Sequence, residues 1–275
     1  MKKFLSLVLI IFVSICSVYA ATDKLSKEYL QNKKHFSITK PLAESVAKKA
    51  LQSALKKETG AKFDVKIEGY TTSSLKAGVF KYLEITGRDV VMSGIPVPYI
   101  NLRSLTDYNY IDYTKNPVAF KSDMVYAYEL YLSDESINAS LKDEHYQKVI
   151  NTVNKIAGSM FVIKDIRTKI VNNKLYLIMD YNLPIIKLSK DRSFIAATDF
   201  DVTNGKITAQ NVHIDTAYGN IGLNKVANLI NLLNPLEFTL NLIDENRYKG
   251  NVENIKFVDN KIKINGKIKL KGEGK

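Results

Sequence analysis

Cysteine is nearly missing from this 275-residue chain, and tryptophan is missing altogether. The one cysteine, Cys16, lies among the first twenty residues. Those residues have the plan of a secretory signal: basic Lys2 and Lys3, an apolar run over 5–13, and small-residue cleavage chemistry at Val18-Tyr19-Ala20. Ile15 stands where a lipoprotein signal needs Gly, Ala or Ser, so simple cleavage after Ala20 is expected. A mature chain without cysteine excludes a thiol nucleophile, a disulfide framework and a thiolate metal site. Thirteen Gly and six Pro are too few for a collagen-like or low-complexity chain. Past residue 20 no apolar run reaches the roughly 18 residues that a membrane helix needs.

What remains is apolar enough to build a core and clearly basic. The chain is 45% hydrophobic, and beyond Ala20 it holds 38 Lys+Arg against 28 Asp+Glu, a formal charge of +10. Residues 21–36 read as a polar lead-in. A helix is expected next, with Thr39 as N-cap, Pro41 in the first turn and Gly60 at the end. Leu42, Val46, Ala50, Leu51, Ala54 and Leu55 are assigned to its buried face, with Lys48, Lys49, Lys56 and Lys57 opposite.

From residue 62 the period changes to two. Phe63, Val65 and Ile67 alternate with charged residues, strands are expected over 79–85 and 89–92, and a long one over 124–132. Ser133 is placed to cap a helical stretch, and a second helix carries Tyr146, Val149, Ile150, Val153 and Ile156. Hairpin chemistry follows at Asn172-Asn173, Asn204-Gly205 and Asp259-Asn260, with a short helix carrying Leu223 to Leu233 between. Two strands change parity midway. Ile163 gives way to Ile166, and Ala209 to Val212, the mark of a β-bulge that bends a sheet. The expectation is an α+β protein, one domain over 37–275, with a large curved antiparallel sheet.

Catalytic motifs are scarce. His35, His145 and His213 are scattered, with no His pair at helical spacing. Ser159 lacks the second Gly of a nucleophile elbow, and Ser73-Ser74-Leu75-Lys76 lacks the companion motifs of penicillin-interacting enzymes. Asp199 and Asp201 start a calcium-loop spacing that fails at Thr203, Asn204 and Gln210. No catalytic residue, metal site or cofactor is assigned. Asp107 and Asp112 stand as the dispersed acids of an alternative hydrolase reading. Nucleic acid is not the expected partner of an exported chain without RRM, KH or zinc-finger signatures.

Tyrosine is plentiful, 16 in all, with Tyr108, Tyr110, Tyr113, Tyr126, Tyr128 and Tyr131 clustered. In a sheet that curls around a gap, Met124, Tyr126, Tyr128, Leu130, Leu177 and Met179 would line an apolar groove. In a sheet that closes on itself they would be ordinary core. Lys261, Lys263, Lys267 and Lys269 alternate with Ile262, Ile264, Ile268 and Leu270, giving a basic face suited to anionic headgroups.

Residues 94–113, Gly-Ile-Pro-Val-Pro-Tyr-Ile-Asn-Leu-Arg-Ser-Leu-Thr-Asp-Tyr-Asn-Tyr-Ile-Asp-Tyr, resemble the central segment of the LmeA-like phospholipid-binding family of bacterial extracytoplasmic proteins. Residues 63–67, 83–85 and 130–138 are similar to its flanking elements, and 252–255 with 259–262 to its closing hairpin. The resemblance implies a curved sheet wrapped on a long N-terminal helix, as in tubular lipid-binding folds, and an apolar cavity for acyl chains. It implies non-enzymatic binding or carriage of phospholipid in the periplasm or cell envelope, with phospholipid and an anionic membrane surface as partners. The competing reading is a cavity-free structural or interaction module.

Overall fold

Alternating burial sorts the chain into sheets whose apolar faces turn inward. The computed structural model describes residues 25–32, 39–112, 119–157, 162–183, 192–215, 233–244 and 250–273. The expected signal peptide, His35, Tyr113, Ser159 and the helix expected over 223–233, apart from Leu233, lie outside them. Six helices and thirteen strands are present among the described residues. The helices are α1 (Lys27–Asn32), α2 (Lys40–Thr59), α3 (Thr72–Lys76), α4 (Asp134–Leu141), α5 (Glu144–Ala157) and α6 (Pro235–Asp244).

One antiparallel sheet has six strands in the order β1-β3-β4-β7-β13-β12, formed by β1 (Phe63–Glu68), β3 (Tyr82–Met92), β4 (Ile95–Ser104), β7 (Met124–Leu132), β13 (Lys261–Leu270) and β12 (Gly250–Val258). A second has four, β11-β10-β9-β8, formed by β8 (Val162–Val171), β9 (Lys174–Asn182), β10 (Arg192–Thr203) and β11 (Lys206–Asp215). Short β2 (Val79–Phe80), β5 (Asn109–Asp112) and β6 (Ala119–Phe120) make a third. None closes into a barrel, so the α+β, antiparallel expectation holds.

Register aligns one inward row across the larger sheet: Val65, Ile85, Leu102, Tyr128, Gly266 and Val252. Gly266 is required there. A Cβ on it would lie 2.2 Å from the Asn251 carbonyl oxygen and 2.5 Å from Tyr128 Oη, so the bare backbone gives the ring its place. Pro96 and Pro98 fall where β4 pairs with β3 alone, because β7 joins only from Tyr99 onward. A missing N–H is tolerated on that open side. The expected bulges are found, between Ile163 and Asp165 and between Ala197 and Asp199, the second opposite Asn211 with its φ of 49°. A third lies between Val252 and Asn254.

The long helix is present but rolled relative to expectation. α2 buries Ala47, Leu51 and Leu55 against β1 and β3, while Leu42 and Val46 are exposed. The reason is angular: at 100° per residue, Leu42 and Val46 lie about 140–180° around the helix from Leu51 and Leu55. Thr39 is its N-cap residue without a capping hydrogen bond, its hydroxyl meeting that of Thr72 at 2.8 Å. Gly60 ends it in the left-handed region, φ 72°. Ser133 caps α4 as expected, in a reciprocal box with Ser136.

Helical side chains close the outer sheet edges. Gln52 donates to the Phe63 carbonyl at 3.0 Å and Glu44 accepts from the Gly69 N–H at 2.9 Å, both along β1. On β8, the Asn138 and Asn154 carboxamides each bond one residue's N–H and C=O, those of Thr168 and Ile163. Such pairing removes strand edges that would otherwise recruit other chains. α4 spans from β4 to β8, and its Ser140 hydroxyl meets Thr239 of α6 at 2.6 Å in the interior.

Candidate functional site

The six residues assigned to an apolar groove come together, four from β7 and two from β9, in one cluster that joins the two larger sheets. Met124, Tyr126, Leu130, Leu177 and Met179 are 0–4% exposed, and Tyr128 is half-buried against them. With so little accessible surface those five side chains pack as core. Burial also pushes the Tyr126 phenol well above its ordinary range.

Lys261, Lys263, Lys267 and Lys269 do lie on the outer face, alternating with buried Ile262, Ile264, Ile268 and Leu270. Three of the four are paired with carboxylates. Lys263 meets Glu129 at 2.9 Å, Lys267 meets Glu253 at 2.6 Å and Lys269 meets Asp123 at 3.4 Å. Lys263 also sits 5.5 Å over the Tyr131 ring, and Tyr131 meets Tyr99 edge-to-face at 5.4 Å. Arg88 completes this cross-strand row, 5.3 Å over Tyr99. The face is laced by ion pairs and cation–π contacts, and its field at a distance is largely cancelled.

The tyrosine cluster holds the lead-in. Leu25 and Leu30 of the segment expected to be loose are buried with Val79 among Tyr29, Tyr70, Tyr108 and Tyr110. Tyr108 donates to the Leu25 carbonyl at 2.8 Å, and burial pushes its phenol up to about 12, with Tyr110 and Tyr70 adding to the shift. Asp107 accepts from Gln31, and its carbonyl accepts from Tyr70. Asp112 pairs with Lys121 at 3.3 Å. Both acids of the hydrolase alternative are thus engaged in structural contacts. An open cleft of about 270 Å³ nearby is lined by Lys66, Lys81, Tyr82 and Leu105 together with Glu68 and Asp107. Its two lysines and two carboxylates balance, so it has no preference for an anion.

His145 is bonded to Asp143 at 2.9 Å on the surface, and His213 is exposed. Among the described residues no three His, Cys, Asp or Glu side chains gather to hold a metal. The Ser74 hydroxyl is buried in the capping box of α3, donating to the Thr71 carbonyl.

One surface was missed from the sequence. Along α2, Leu42 (68% exposed) and Val46 (48%) share the solvent side with Ser45, Lys49, Ser53, Lys56 and Lys57. Lys40 and Lys48 pair with Glu44 and Asp64, but Lys49, Lys56 and Lys57 make no ion pair with any described residue. The helical angle between Leu42 and Leu51 was the available signal. Compared with protein families, curated proteins and solved structures, the chain matches none.

Proposed function

We propose that this is a non-enzymatic protein of the bacterial cell envelope that binds phospholipid at an anionic membrane surface. The carrying observation is the juxtaposition of exposed apolar side chains and lysines on one face of α2. Three of the four β13 lysines are paired with carboxylates, whereas on α2 three lysines without a described partner share a solvent face with exposed leucine and valine. The export signal, the surplus of ten positive charges and the likeness of residues 94–113 to a phospholipid-binding family support the same reading. The tubular likeness, with the sheet curving over α2, belongs to this proposal.

Binding to phosphatidylcholine vesicles with and without phosphatidylglycerol tests it. Association with the anionic vesicles alone, declining as salt rises, is expected. A second reading, an interaction module without a lipid ligand, draws on the packed interior around Leu130 and Met179. Failure to bind either vesicle would establish that reading instead.

A further inference from the structure

Resting on the lipid-surface reading, we propose that the outer face of α2 is the part of the protein that meets the bilayer, with Leu42 and Val46 entering the headgroup region. Val46, Lys49, Ser53, Lys56 and Lys57 all project within about 60° of Leu42 around the helix axis. They form one stripe, about 22 Å from Leu42 to Lys57. Its composition suits an interface rather than water: two large apolar side chains at one end, three lysines without a described carboxylate partner along the rest. Lysine stems can lie along the acyl boundary while their ammonium groups stay at phosphate level.

Charge complementarity selects the occupant. The other basic row, on β13, carries acidic partners within 3.4 Å for three of its four lysines. On α2, lysines without a described carboxylate partner lie beside exposed Leu42 and Val46, the combination of charge and apolar surface that an anionic bilayer complements. Its width is that of one helix, about 10 Å, so it covers far less than the roughly 800 Å² per partner of a stable protein interface. A bilayer sets no such minimum, because each inserted side chain and each lysine adds to the attraction separately.

The absence of tryptophan supplies a clean reporter. Leu42→Trp gives a single emitter on the stripe, and Val91→Trp gives one at an exposed position on β3 as control. The expected result is a blue shift of Leu42→Trp emission on adding phosphatidylglycerol vesicles, and none for Val91→Trp. Lys49→Gln/Lys56→Gln/Lys57→Gln should weaken vesicle binding on the order of 100-fold, while Lys267→Gln/Lys269→Gln changes it less than threefold. All seven positions are at the surface, and thermal melts confirm that each variant is folded.

If the wild type binds anionic vesicles but Leu42→Trp shows no shift and the triple variant binds normally, the α2 assignment is overturned and the lipid-surface function stands. Loss of binding in the triple variant without a Leu42→Trp shift also overturns it, since a purely electrostatic polyanion contact then suffices. No vesicle binding by the wild type removes the function and this inference together.

Discussion

Asn173 and Asn260 clasp each other across two hairpin tips: the Asn173 N–H donates to Asn260 Oδ1 at 3.2 Å, and the Asn260 N–H donates to Asn173 Oδ1 at 3.1 Å. Each residue lies in the left-handed region, with φ of 57° and 53°, which asparagine tolerates better than most residues. The clasp ties the β8–β9 hairpin of one sheet to the β12–β13 hairpin of the other. Glycine at either position keeps the turn and removes the side chain. A double-mutant cycle on Asn173→Gly and Asn260→Gly should give a coupling of about 0.5–1.5 kcal/mol by urea unfolding. A coupling near zero would show that the tips are held together by the remaining sheet packing alone.

The edge of β8 gives a larger effect. The Asn138 carboxamide accepts from the Thr168 N–H at 2.7 Å and donates to its carbonyl at 2.8 Å, and Thr168 is buried. Asn138→Ala leaves both backbone groups without this partner, at an expected cost of about 1–3 kcal/mol. Amide exchange at Thr168 should accelerate more than at its neighbours, and unchanged protection there contradicts the pairing.

Gly266→Ala should destabilise by roughly 1–3 kcal/mol through overpacking. Combining it with Tyr128→Phe tests the cause. The Asn251 carbonyl oxygen, 2.2 Å from the added Cβ, is backbone and cannot swing aside, so removing the tyrosine hydroxyl should not restore stability. Full recovery in the double variant would place the conflict at the ring instead.

Asp180 carries an acid-sensitive contribution. Burial raises its pKa, but hydrogen bonds from Ser193 and Arg167 outweigh that and hold the carboxyl below its usual range. A depressed folded-state pKa means stability that is complete above the unfolded value of about 3.9 and is lost as pH falls through the folded one. The urea midpoint of the wild type should therefore drop between pH 7 and about pH 2.5 by more than that of Asp180→Asn. Equal drops would show that the Arg167 and Ser193 contacts do not favour the ionised form.

Hairpins were legible because their chemistry is local. Asn172-Asn173, Asn204-Gly205 and Asp259-Asn260 all carry the positive φ that such turns demand, and a change of alternation within a strand located two bulges. Partnership was less legible. Leu25 and Leu30 look like isolated apolar residues in a polar segment, and only the fold brings Tyr70, Tyr108 and Tyr110 against them. Alternation along β7 and β9 correctly names the apolar side. A strand facing a gap and one facing other side chains have the same period, so the sequence could not separate groove from core. Hydrophobicity groups Leu42 and Val46 with Leu51, whereas the helical angle sets them apart.

Photocrosslinking tests the central claim most directly. Purified protein would be bound to vesicles containing a phosphatidylglycerol with a photoreactive headgroup, irradiated, digested and mapped by mass spectrometry. The account predicts adducts concentrated on residues 42–57, reduced by rising salt. Adducts confined to β7 and β9 peptides around Tyr126 and Leu177, or none above a phosphatidylcholine control, would contradict it.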